Sequence, residues 1–164
     1  PKWGGMPFRL MVLNTHYRAP LSFTNETIEE AVKSYAKISQ TIKGLAIKLQ
    51  LADIDLSSIK IRGDESFYKE MCNDLNTPNA LTILYASLKE ANMMLRNPST
   101  SLEDMKNIFG KLEDYLFILG IKVQYPILQE EDKAIYKQYL EAKKEKDFAK
   151  SDSLRNVLIE KNIF

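Results

Sequence analysis

Apolar residues recur at intervals of three and four along most of the chain, and that rhythm predicts a protein built from helices. The longest such segment runs from about Asn25 to about Leu51, with Ile28, Ala31, Tyr35, Ile38, Ile42, Leu45 and Leu49 as its apolar stripe. A stripe of this kind is the seam of a helix packed at a shallow angle in a left-handed bundle. Thr24 or Asn25 can cap its start, and Glu26, Glu29 and Glu30 suit the positive end of the helix dipole. Gly44 interrupts the segment at a cost of about 1 kcal/mol relative to alanine, which packing must offset.

A second helix is predicted from Thr77-Pro78, a capping residue followed by a first-turn proline, with Leu81, Leu84, Leu88, Ala91 and Leu95 on its inner face and an end before Asn97-Pro98. A third opens at Ser101 with Asp104 three residues on, an acidic relative of the capping box. It carries Met105, Ile108, Leu112, Tyr115 and Leu119 and stops at Gly120, a left-handed C-cap. A fourth starts near Glu130-Glu131-Asp132, with Ala134, Ile135, Tyr139 and Ala142 as inner positions. A fifth starts at Asp147 and holds Ala149, Leu154, Val157 and Leu158. The fold class expected is all-α: an antiparallel helical bundle ending in a helical hairpin.

Two stretches fall outside this scheme. Asp53 to Gly63 places Ile54, Leu56, Ile59 and Ile61 irregularly and reads as a connecting loop. Ile121 to Ile127 alternates like a strand, but no partner strand is visible. Only six glycines and six prolines occur, mostly between the periodic segments, which leaves little turn material for a sheet.

Composition narrows the class further. A chain of 164 residues supports one domain, or one with a small appendage, and is long enough to bury a core. Lys+Arg 23 against Asp+Glu 22 excludes both a histone-like basic chain and an acidic disordered tail. The single cysteine, Cys72, cannot form an internal disulfide, and with one histidine, His16, it cannot build a Cys/His zinc site unaided. No apolar run approaches the roughly 20 residues that span a bilayer, and no signal-peptide pattern opens the chain. The expectation is a soluble, cytoplasmic chain without a membrane partner, and its first residue, Pro1, reads as a cut from something longer.

A search for catalytic groups finds little. No base stands near Cys72 in sequence, and Cys72 is expected to pack as a small hydrophobe in a short helix with Phe67 and Met71. There is no Gly-rich phosphate loop, and Glu130, Glu131 and Asp132 read as dipole partners rather than metal ligands. Three polar clusters are harder to assign to a core. In Thr15-His16-Tyr17-Arg18-Ala19-Pro20-Leu21, His16 and Arg18 can hold a phosphate or fix a domain junction through backbone carbonyls, with the structural role favoured. Asn73-Asp74-Leu75-Asn76-Thr77-Pro78-Asn79-Ala80 is a crowd of short polar side chains of the kind that makes caps and turns. From Lys133 to Lys161 there are eight cations against five anions, with Phe148 among the lysines at the predicted hairpin corner. Charge for phosphates and a ring for stacking suit a single-stranded nucleic-acid loop, whereas a solvated face with Phe148 buried is an equal alternative.

In this order the three clusters resemble motifs of the C-terminal half of bacterial cysteinyl-tRNA synthetases. His16-Tyr17-Arg18-Ala19-Pro20 is similar to the family's His-Tyr-Arg-Ser-Pro, and Asp74-Leu75-Asn76-Thr77-Pro78-Asn79-Ala80 to its Phe-Asn-Thr-Pro-Glu-Ala segment. Ala142-Lys143, Lys146-Asp147-Phe148, Ser151-Asp152 and Arg155 match its Ala-Arg-x-x-Lys-Asp-Trp-x-x-Ala-Asp-x-x-Arg. The likeness covers Met6 to Phe164, whereas Pro1 to Gly5 match no motif. Departures are Leu75 for phenylalanine, Asn79 for glutamate, Phe148 for tryptophan and Lys143 for arginine, the last losing a bidentate fork. The family's His-x-Gly-His and Lys-Met-Ser-Lys-Ser motifs and its zinc ligands are absent from this chain.

The resemblance implies the anticodon-side, tRNA-binding portion of an ATP-dependent class I ligase that attaches cysteine to tRNA(Cys). Residues 1–22 would end the segment that joins the catalytic domain and touches the inner corner of the tRNA, 23–127 would form the helical bundle, and 128–164 the anticodon-binding hairpin. Phe148 would stack on an anticodon base, Lys143, Asp152 and Arg155 would bond base edges or phosphates, and His16 and Arg18 would serve the tRNA corner or the junction. No catalytic residue, metal or cofactor is expected in this segment; ATP and zinc are implied for the catalytic domain. The expected partners are tRNA(Cys) and that domain, with no DNA, in a monomer. Two other readings compete: a helical protein-interaction module without RNA, and a related ligase joining cysteine to an amino sugar. The amino-sugar ligases lack the hairpin, so Lys143 to Arg155 argues against the second.

Overall fold

The computed structural model describes residues 3–164; Pro1 and Lys2, part of the stretch that matches no motif, lie outside the described residues. Seven α-helices follow one another among the described residues, and no strand interrupts them: α1 Gly5–Leu13, α2 Asn25–Leu51, α3 Glu65–Cys72, α4 Thr77–Arg96, α5 Leu102–Leu119, α6 Glu130–Glu145 and α7 Phe148–Glu160. None is long and apolar enough to cross a membrane. Helix α2 is the spine. Its stripe meets α4 and α5 in the main core, where Ile38, Ile42, Leu45 and Leu49 pack with Leu81, Leu84, Leu88, Ile108, Leu112 and Leu119. The seam predicted from spacing is therefore the buried one.

The helix ends follow local chemistry. Thr24 caps α2 by accepting from the Thr27 amide, and the Thr27 hydroxyl accepts from the Thr24 amide in return. Ser101 caps α5 by accepting from the Asp104 amide, and Gly120 closes that helix at φ 65°, in the left-handed region where a side chain is strained. For α4 the cap is Asn76, one residue before the predicted Thr77; its side chain accepts from the Asn79 amide and leaves Pro78 in the first turn. The break at Gly44 has a packing reason: a Cβ there would stand 3.2 Å from Leu95 Cδ1, where α4 crosses α2 closely.

Three features depart from the sequence reading. Helix α1 has no counterpart in the predicted scheme, yet it packs along α2 with Leu10 fully buried in the main core. Cys72 is exposed rather than packed with Phe67: five residues on in a helix, it points about 140° from that buried ring. Ala134 and Ala149 are exposed, because the inner face of the hairpin is made by Ile135, Tyr136 and Tyr139 on α6 with Ser151 and Leu158 on α7. Alanine exposes too little surface to mark a buried face by itself. In keeping with the lack of a visible partner strand, the strand-like run Ile121 to Ile127 forms no ladder. Ile121 is buried and Val123 and Tyr125 half-buried against the core, while Lys122 and Gln124 face water, so period two arises without a sheet.

The Asp53–Gly63 loop holds a 3₁₀ turn at Leu56–Ser58 and then crosses α5. Backbone approaches are close there, and a Cβ on Gly110 would lie 2.7 Å from Ile61 Cβ. A Cβ on Gly63 would lie 2.1 Å from Tyr115 Cε1. That ring cannot retreat easily, since it is fully buried and stacked on Phe67 with centroids 4.2 Å apart. Gly63→Ala is therefore expected to cost about 1–3 kcal/mol in a denaturant titration, the usual penalty of overpacking; unchanged stability would mean that the ring yields freely.

The hairpin rests on the spine through a second apolar cluster. Ile47 and Leu51 of α2 pack with Leu128, Ile135, Tyr136, Tyr139, Leu158 and Ile163. Buried Gln50 ties the connection, donating to Pro126 O at 2.9 Å and accepting from the Leu128 amide at 2.8 Å. Lys161 reaches Asp132 at 2.7 Å and Lys133 reaches Asp53 at 2.7 Å. The Lys161 hydrogen bond holds the Asp132 carboxyl below the usual carboxylate range, so the stabilisation it lends fades as pH falls through that lowered value.

Candidate nucleic-acid interface

Two of the three polar clusters meet in space. The segment after α1 lies against the turn between α3 and α4, and its side chains converge on Asp74. His16 Nε2 is 3.0 Å from the Asp74 carbonyl oxygen, the Tyr17 hydroxyl donates to Asp74 Oδ1 at 2.6 Å, and Arg18 Nη2 donates to the same oxygen at 3.2 Å. Arg18 Nε also donates to the Tyr17 oxygen at 2.9 Å. The carboxylate hydrogen bond holds the Tyr17 phenol above its ordinary pKa, against the lowering pull of Arg18. The carbonyl that faces His16 belongs to this chain's own α3–α4 turn, while Arg18 keeps most of its surface in water, its side chain 68% exposed.

The turn itself is unusual. Asp74 and Leu75 both have positive φ, 55° and 52°. Aspartate tolerates this region, whereas leucine there is uncommon, and its side chain is left 56% exposed. Glu70 steadies the turn by accepting from Asn76 Nδ2 at 3.1 Å and Asn79 Nδ2 at 3.0 Å. A glutamate at position 79 would set like charges together there, so Asn79 suits its neighbour. Tyr17 and Asp74 are the two members of this site that residue-type reasoning passed over; an aspartate in a row of asparagines reads as turn chemistry until the fold brings three donors to it.

The third cluster forms the free end of the hairpin. Helix α6 ends at Lys146 in the left-handed conformation, φ 60°, and Asp147 then caps α7 by accepting from the Lys150 amide. Phe148 is the first residue of α7 and is 73% exposed, which removes the alternative that its ring fills the hairpin core. Asp152 and Arg155 follow four and seven residues on, on the same side of the helix, and both are exposed. Lys143 is exposed on α6, its ammonium 5.6 Å from the Tyr139 ring centroid. Among the described residues none of Lys143, Lys144, Lys146, Lys150, Asp152 and Arg155 is in an ion pair. It shares no hydrogen bond with the Asp74 cluster, so the predicted site residues fall into two separate groups.

Among the described residues no three His, Cys, Asp or Glu side chains come together as a possible metal site. Comparison with known proteins bears on what the two groups serve. Residues 66–121, from α3 to the end of α5, match the family described as DALR domain. The cysteine–tRNA ligase of Brevibacillus brevis is 31% identical over 99% of this chain, and that of Geobacillus sp. (strain WCH70) is 33% identical over 94%. The cysteine–tRNA ligase of Geobacillus thermodenitrificans is 32% identical over 94%. The chain spans only 35–37% of the length of these relatives. Over nearly its whole length, then, the chain is similar to a stretch of about a third of these cysteine–tRNA ligases, and residues 66–121 match the DALR domain model.

Proposed function

We propose that the chain is the anticodon-side, tRNA-binding portion of a cysteine–tRNA ligase, with the hairpin corner at Phe148 as the place where an anticodon base is held. The observation that carries this reading is an exposed aromatic ring at a helix start, in a segment where nearby lysines along the chain make no ion pair, within a chain similar to these ligases. Stacking is tolerant of the base, and the cations meet the backbone. In this reading residues 1–22 join the catalytic domain to the bundle, 23–127 are the bundle and 128–164 the anticodon hairpin of a cytoplasmic, monomeric enzyme. ATP and zinc belong to the part of the ligase that this chain does not span. A filter-binding titration of the chain with tRNA(Cys) at several salt concentrations tests the reading. Binding with a steep negative salt slope supports it; absence of binding would favour a protein-interaction module.

The Asp74 cluster has a different role: it sets the angle between the joining segment and the bundle. Arg18→Ala in the full ligase is expected to lower charging roughly two- to tenfold, since its two exposed hydrogen bonds, to Asp74 and Tyr17, are together worth about 0.5–1.5 kcal/mol, without altering preference among anticodons. Asp74→Asn, which keeps the carbonyl that faces His16, should act in the same direction. Charging kinetics on tRNAs with cognate and altered anticodons check both, and normal charging by Arg18→Ala would remove the motif from the functional account.

A further inference from the structure

Between α2 and α4 the surface opens into a cavity of about 700 Å³. Helix α2 contributes Lys37 and Gln40, and α4 contributes Tyr85, Lys89, Asn92 and Arg96. The α4 residues recur at four, three and four, so they form one continuous face of that helix. Lys37, Lys89 and Arg96 are exposed, and none is in an ion pair among the described residues, whereas Lys106, Lys111, Lys133 and Lys161 each hold a carboxylate. No acidic side chain lines the cavity. Three uncompensated charges in a concave wall focus a positive field outward.

The floor between the cations is polar and neutral. Asn92 Nδ2 donates to Thr41 Oγ1 at 2.9 Å and to Leu88 O at 2.8 Å, which fixes the amide and leaves its carbonyl oxygen as an acceptor. Burial holds the Tyr85 phenol above its ordinary pKa, against the lowering pull of a Ser34 hydrogen bond. Neutral donors and acceptors set among cations suit a ligand that alternates phosphates with hydroxyls, as the ribose backbone of RNA does. The position is also apt. Thr41 lies about 9 Å along α2 from Ile47, on which the hairpin rests, and the sixteen residues of α6 carry the corner about 24 Å from the start of that helix.

We propose that the α2–α4 groove is a second RNA site, which grips phosphodiester backbone through Lys37, Lys89 and Arg96 without reading bases. It deepens the RNA-binding reading above and rests on it. With a loop held at Phe148, the groove would secure the backbone leading away from that loop.

The test uses the whole 164-residue chain with the combined substitutions Lys37→Gln, Lys89→Gln and Arg96→Gln, all at exposed positions, and tRNA(Cys) beside a tRNA of altered anticodon. Affinity at low salt should fall about tenfold or more, equally for both RNAs, and the slope of log affinity against log salt should become shallower by about 2–3, roughly one for each phosphate no longer neutralised. Thermal unfolding should be unchanged. Phe148→Ala should weaken binding with the slope retained. If the triple variant keeps wild-type affinity and slope while Phe148→Ala still weakens binding, the groove proposal is overturned and the anticodon reading stands. If the unsubstituted chain binds neither RNA, both fall. If polyglutamate displaces tRNA as well as an RNA homopolymer of equal charge does, the groove is a site for acidic peptide and the RNA assignment is overturned.

Discussion

Replacing Phe148 by alanine is expected to weaken tRNA binding by the chain, and charging by the full ligase, roughly ten- to a hundredfold, because base–aromatic stacking is worth about 1–3 kcal/mol. The same substitution should leave the melting temperature nearly unchanged, since a ring 73% exposed contributes little to the core. Phe148→Trp should retain or improve binding, as a larger π-face at the same open position meets no neighbour to clash with. Position accounts for the size of the effect. The left-handed turn at Lys146 and the cap at Asp147 hold the ring at the apex, where an unstacked base can reach it from outside. Asp152, one turn along, can accept from an exocyclic amino group, as acids do from cytosine, the middle base of cysteine anticodons. Affinity and unfolding measured together on the two variants decide the role: lost stability with unchanged affinity per folded molecule would return Phe148 to a packing role.

Cutting the seam of the bundle should have the largest effect on stability. Leu84 and Ile42 have no exposed surface, and both lie in the cluster that joins α2, α4 and α5. Leu84→Ala or Ile42→Ala removes buried methyl groups and leaves a cavity that relaxes only in part, so each should cost about 2–5 kcal/mol. Against a typical domain stability of about 5–15 kcal/mol, that loss is readily seen in a denaturant titration. A change below about 0.5 kcal/mol would mean that the site collapses without a cavity, contrary to the close packing of such interiors.

How far the fold could be read in advance depended on how local its causes are. The course of α2, α4 and α5 followed from spacing alone, because a stripe at three and four buries only one way and its residues sit next to one another on the helix surface. The caps at Thr24, Ser101 and Asp147 and the stop at Gly120 involve neighbours three or four residues apart, so they too were legible. Helix α1 was not, since Gly5, Pro7 and Asn14 around a short apolar run read as punctuation until α2 offers a surface to cover. The alternation of Ile121 to Tyr125 looked like a strand because one face of any extended chain laid on a core must be apolar, whether or not a second strand lies beside it.

The candidate site divides along the same line. That Phe148, Lys143, Asp152 and Arg155 share a corner was determined by sequence, since a cap at Asp147 and helical spacing place them without help from elsewhere. Whether the ring faces water or the hairpin core was decided only by tertiary packing, where Tyr136, Tyr139, Leu158 and Ile163 fill the interior against Ile47 and leave it no room. Tertiary structure alone also brought His16, Tyr17 and Arg18 to Asp74, across separations of 56–58 residues, and set Lys37 opposite Lys89 and Arg96 on two different helices. Hydrogen bonds and charge fields act over a few ångströms of space, and distance along the chain carries no information about them until the apolar stripes have chosen which helices touch.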